Sequence, residues 1–239
     1  MLFRMCIISF TIFFYSCKTN EVSTLNSTST DKFSITFQPV FGAENLILNQ
    51  KHPINETDSI EINVLRFYIS NIEFYNHDKL IHKVLSSYHL IDLDDKKSLK
   101  IDLESIQNRP FNKIKCHLGI DSTTNVSGAF GHDLDPTKGM YWTWQSGYIN
   151  FKLEGKSELC PTRNNQFKYH LGGYQSPFYA LQTLEFDIND ASEIIIDIDL
   201  QAILKNVDLA SKHSIMSPSD RAVKLAEIVA ENFEIENTN

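Results

Sequence analysis

Cysteine is scarce in this chain, at four of 239 residues, and no pair stands in a CxxC or CxxCH arrangement. That absence argues against a thiolate zinc site and against covalently attached haem. Glycine is sparse too, at nine residues, with no glycine-rich loop to cradle a phosphate and no GxSxG elbow to present a nucleophile. Scattered Ser, His and Asp residues form no nucleophile–base set, so no enzymatic role is expected. Positive charge is not clustered, and the formal net charge of −8 argues against a nucleic-acid groove. Long apolar runs are missing beyond the first residues, where Cys6 to Tyr15 is almost wholly apolar. That run falls short of the about 20 residues needed to span a bilayer.

What the N-terminus does contain reads as an export signal. Arg4 supplies the positive region, the apolar run follows, and Phe14-Tyr15-Ser16-Cys17 resembles a bacterial lipobox without its usual Leu. Residues 1–16 are therefore expected to be a lipoprotein-type signal peptide, with Cys17 lipidated and the protein tethered to a bacterial membrane on its periplasmic or outer side. Residues 17–32, rich in Ser, Thr and Asn, read as a flexible linker. Cys116 and Cys160 then remain, either as one disulfide or as buried free thiols.

Residues 33–239 suffice for one domain, and strand signals dominate it. Phe33, Ile35 and Phe37 alternate with Ser34, Thr36 and Gln38, the two-residue period of a half-buried strand. Ile60 to Tyr75 reads as two strands or one with a bulge. Ser87–Leu93, Ile114–Gly119, Tyr141–Leu153, Phe167–Leu171, Leu181–Ile188 and Glu193–Leu200 are further candidates. The pattern predicts an all-β fold, an antiparallel β-sandwich, with one C-terminal helix over about 217–233. Ser217 would cap that helix, Pro218 would open it, and Ala222, Leu225, Ala226, Val229 and Phe233 would form its apolar face.

The densest chemistry lies between Gly131 and Gly155. Both tryptophans, Trp142 and Trp144, sit there two residues apart, sharing one face if the run is a single strand. A Trp needs burial for its ring and a partner for its N–H, so the pair is either core or site. His132, flanked by Asp133, opens the same stretch. His170 faces away from Phe167, Tyr169 and Leu171 by alternation, and His213 precedes Met216 just before the helix. Imidazole combined with a thioether suits copper, Cu(I) in particular, which makes His132, His170, His213 and Met216 candidate metal ligands. The alternative for each is an ordinary solvated histidine or a packing methionine.

The run from Gly131-His132-Asp133 through Met140-Tyr141-Trp142-Thr143-Trp144-Gln145-Ser146-Gly147-Tyr148 resembles the signature of the MbnP family. These are exported proteins named for an association with methanobactin copper-chelator operons. Leu65 to Ile72, Phe167 to Gly172 and the His213–Met216 turn with its following helix are similar to the family in the same order. The resemblance implies copper as cofactor and a dihaem cytochrome c peroxidase-like partner that oxidises a tryptophan to kynurenine. It implies His132 and His170 as ligands, Trp142 or Trp144 as the oxidised residue, and His213 and Met216 as further ligands. The competing reading is a metal-free surface-interaction or glycan-binding lipoprotein whose aromatic strand is a stacking platform.

Overall fold

Alternation of apolar and polar side chains builds two main sheets that enclose a shared core. The structure is a computed structural model describing residues 32–103, 110–143, 145–188 and 192–236. The signal peptide, most of the linker, Cys17 and Trp144 lie outside the described residues. In chain order the first elements are β1 (Phe33–Phe41), β2 (Glu44–Asn45), β3 (Lys51–Pro53), β4 (Ser59–Asn76), β5 (Lys79–Lys83), β6 (Tyr88–Asp92) and β7 (Lys100–Leu103). Then come β8 (Lys113–Leu118), α1 (Ser122–Val126), β9 (Tyr141–Thr143), β10 (Gly147–Ser157), β11 (Gln166–Gly172), β12 (Tyr174–Gln175), β13 (Phe178–Tyr179) and β14 (Gln182–Asp187). The chain continues through β15 (Glu193–Asp199), α2 (Leu200–Lys205), β16 (Ser214–Ile215), α3 (Asp220–Ala230) and β17 (Phe233–Ile235).

The smaller sheet runs β17-β15-β1, with β2 and β7 also on β1. The larger runs β14-β8-β4-β10-β11-β16, with β3, β5 and β6 on the other edge of β4. Between them lie Phe33, Ile35 and Phe37 of β1, Ile196 and Ile198 of β15, and Phe67, Phe151, Leu153 and Phe167 of the larger sheet. Phe37 meets Phe67 edge-on at 5.5 Å between ring centroids, a geometry that aromatic quadrupoles favour. This is the expected all-β sandwich with a helix near its C-terminus.

Several details depart from the expectation. Two pairings are parallel, β1 with β15 and β11 with β16, because the chain crosses from one side of the fold to the other before each second strand. Strand β4 is one long strand with an irregularity at Asn71, whose φ is +51° and where the register against β8 shifts. Tyr141–Leu153 is not one strand. It is a hairpin, β9 and β10, turning just before Gly147 at φ +72°, where a Cβ would strike Asn125 and Tyr174. The true cap of α3 is Ser219, not Ser217: Ala222 N–H donates to Ser219 Oγ at 3.2 Å. Phe233 leaves the helix and enters β17, where it pairs with Ile198 and packs on Phe67. Leu200, expected to end a strand, instead opens α2, capped by the Asp199 carboxylate. Cys116 and Cys160 are not bridged. Both are buried free thiols, one in the middle of β8 and the other in the turn after β10.

Candidate functional site

Lys152 and Glu154 alternate with Phe151 and Leu153 along β10, so the charged pair projects from the face opposite the core. On β11 the same rule sends Lys168, His170 and Gly172 to that outer face. Register then lines up a polar row across four strands: Asp92 opposite Arg66, Arg66 opposite Lys152, and Lys152 opposite His170. Arg66 Nε meets Asp92 at 2.7 Å. His170 Nε2 lies 2.6 Å from Glu154 Oε1, and only 8% of the His170 side chain is exposed. Lys152 Nζ approaches the same oxygen at 3.5 Å.

Burial lowers the His170 pKa and keeps the ring neutral, although the Glu154 carboxylate pulls the other way. Burial alone would raise Glu154. The hydrogen bond from His170 and the charges of Lys152 and Lys168 instead hold it below the usual carboxylate range. A neutral ring beside an ionised carboxylate assigns the proton to Nε2, which donates to Glu154. Nδ1 then carries the lone pair. It is buried and has no hydrogen-bond partner.

A loop straps this outer face. Tyr68 OH donates to Asp133 O, Tyr148 OH to Leu134 O, and Leu90 N–H to the Asp133 carboxylate. Further along, Arg66 donates to Lys138 O at 3.1 Å and Lys152 to Gly139 O at 3.2 Å. Beneath the strap sits a second apolar cluster of Tyr68, Leu90, Ile120, Leu134, Met140, Tyr148 and Ile149, with Trp142 packed against it. The strap leads into β9 and lays Trp142 over Gly172. A Cβ on Gly172 would come within 2.8 Å of the Trp142 ring and 2.6 Å of Tyr148 O. Trp142 Nε1 is a second buried polar atom without a partner.

The MbnP family model matches residues 30–217. This chain belongs to the MbnP family. Its structure is similar to MbnP from Methylosinus trichosporium, with a TM-score of 0.60 at 14% sequence identity, over 80% of this chain and 86% of that one. At that identity the likeness establishes the fold. No curated protein matches the chain.

Within this MbnP fold the candidate residues divide into two places. His170 and Gly172 share one face of β11, so Trp142, which lies over Gly172, is on the same outer face as His170. The parallel register sets Lys168 opposite Ser214 and Tyr169 opposite Ile215, and exposed Met216 follows directly on β16. His213, whose carbonyl accepts from Lys168 N–H, lies on the same neighbouring segment with its Nδ1 buried and unpartnered, but by alternation it falls on the face of Phe167 and Tyr169, opposite His170.

His132 is elsewhere. It is exposed, with φ +56°, and lines a pocket of about 480 Å³ with Ser86, Tyr88, Thr124 and Phe130. That pocket adjoins β6, separated from β11 by β4 and β10. The expected pairing of His132 with His170 is therefore not made: the strap carries His132 toward β6 before it turns back across the sheet. Among the described residues no three His, Cys, Asp or Glu side chains gather as a metal-holding group. Glu154, Lys152, Arg66 and Asp92 escaped the sequence reading. The signal for the first two was present, as charges alternating through an apolar strand.

Proposed function

We propose that this chain is an exported copper-binding protein whose site is built on His170 at the outer face of β11. Family membership supports an association with methanobactin and copper. The observation that carries the residue assignment is the Nδ1 of His170, buried and unpartnered, with its other nitrogen tied to a carboxylate. Met216 follows β16 on the adjoining segment, and a thioether brought to the imidazole would favour Cu(I) over hard cations. The donors fit a soft monovalent ion better than zinc, which takes four ligands in a closed site.

In this reading Trp142 is the tryptophan that would be modified; Trp144, the other candidate, lies outside the described residues. Opening its indole would convert a ring packed over Gly172, on the face of β11 that carries His170, into an aniline nitrogen and a carbonyl, both able to ligate or to hydrogen-bond. A dihaem peroxidase-like partner would supply the oxidation. In this reading the protein is a binding protein and not a catalyst, tethered through Cys17 to a membrane facing the periplasm or the exterior. The glycan-platform alternative is weakened because the Trp142 ring packs over Gly172 and against the second apolar cluster.

The test is a Cu(I) competition titration on the full chain. Wild type and His132→Ala should bind alike, and His170→Ala should lose binding. Copper retained by His170→Ala and lost by His132→Ala would reverse the assignment. On protein from its own host, peptide mass spectrometry should find the Trp142 peptide lacking one carbon and carrying one added oxygen.

A further inference from the structure

We infer that Glu154 is the positioning residue of this site: it fixes the His170 tautomer so that Nδ1 is the ligating atom. The inference rests on the copper reading for its purpose and on the geometry alone for its mechanism. Glu154 Oε1 is the hydrogen-bond partner of His170 Nε2, at 2.6 Å. A carboxylate accepts and never donates when ionised, so it selects the ring form with the proton on Nε2. The other nitrogen is left with a buried lone pair and no hydrogen-bond partner.

The same carboxylate is held from behind. Lys152 Nζ stands 3.5 Å from Oε1 and donates to Gly139 O in the strap. The strap, Lys152, Glu154 and His170 thus form one connected chain, and the strap is the segment that delivers Trp142. The ligand nitrogen and the tryptophan beside it are positioned by a single polar path. Glu154 bonds to the ring nitrogen remote from the proposed ligating atom, so its role is to act through the imidazole. Loss of such a carboxylate typically weakens metal binding about 10- to 100-fold.

The decisive measurement is made without metal. Nitrogen-15 NMR of the His170 ring in the full, copper-free chain should show the Nε2–H tautomer. In Glu154→Ala that signature should give way to a mixture or to the Nδ1–H form, with Cu(I) affinity falling about 10- to 100-fold. Glu154→Gln keeps an accepting oxygen at the same reach and should preserve the tautomer and most of the affinity. Far-UV circular dichroism and a urea midpoint on both variants separate these effects from unfolding. An Nδ1–H ring in wild type, or an unchanged tautomer in folded Glu154→Ala, overturns the proposal whatever copper does. A tautomer that responds as expected, in a protein whose His170→Ala variant still binds Cu(I), upholds the positioning role and overturns the copper reading instead.

Discussion

At Gly172 a single methyl group decides whether Trp142 can stay where it is. The ring and the Tyr148 carbonyl both approach closer than a Cβ tolerates, and neither is the free end of a flexible chain. Gly172→Ala should cost about 1–3 kcal/mol, as overpacking generally does, and should shift Trp142 fluorescence toward that of a wetter indole. Unchanged urea stability and emission would mean the ring is not seated there. The two cysteines give a second residue-scale test. Cys116 is enclosed in β8, and burial pushes its thiol up to about 12. Cys160 is likewise buried and raised by desolvation. The thiolate is the reactive form, so the folded protein should resist thiol reagents and unfolded protein should titrate both groups. A reducing agent should leave the unfolding midpoint where it was, whereas a drop on reduction would reveal a bridge that the structure lacks.

Among the elements, α3 offers the cleanest comparison because two serines compete to cap it. Ser219 accepts from Ala222 N–H while Ser217 makes no such bond, so Ser219→Ala should cost about 1 kcal/mol. Ser217→Ala should stay within about 0.5 kcal/mol, as surface changes usually do. Equal effects in thermal unfolding would overturn the assignment of the cap to Ser219. The cap illustrates what local pattern can and cannot tell. Strands such as β1, β8 and β15 were legible because each buries one face, and alternation reports that directly. The break between β9 and β10 was hidden because Trp142, Tyr148 and Ile149 are apolar on both sides of the turn. The parallel pairings and β17 depend on contacts far along the chain, to which periodicity is blind. At the site, alternation alone placed His170 on the outer face. Its partnership with Glu154 required the β10–β11 register, which shifts between Ile149 and Phe151.

Over the whole molecule, buried and half-buried imidazoles set the response to acid. Burial lowers the pKa of His89, His117 and His170 below the usual histidine value. Asp133 partly offsets this at His89, as do Asp121 and Glu73 at His117. Unfolded, each titrates near about 6.5. Above that pH neither state holds the proton and their full contribution to stability is present. As pH falls through about 6.5 toward the lower folded values, the unfolded chain binds protons that the folded one refuses, so stability declines. Carboxylates held low by their partners, Glu154 and Asp121 among them, extend the loss into the acid range below the usual carboxylate value. Asp197 acts oppositely, since burial and Glu236 raise it. One group does not cancel three histidines whose window opens earlier. Urea midpoints should therefore fall between about pH 7.5 and about 5.5, before carboxylates titrate. His170→Gln should flatten that fall in proportion to its share. A midpoint that does not move across this window would require the imidazoles to charge inside the fold. In that case His170 could not hold an unprotonated Nδ1, and the argument for a ligand at that atom would fail with it.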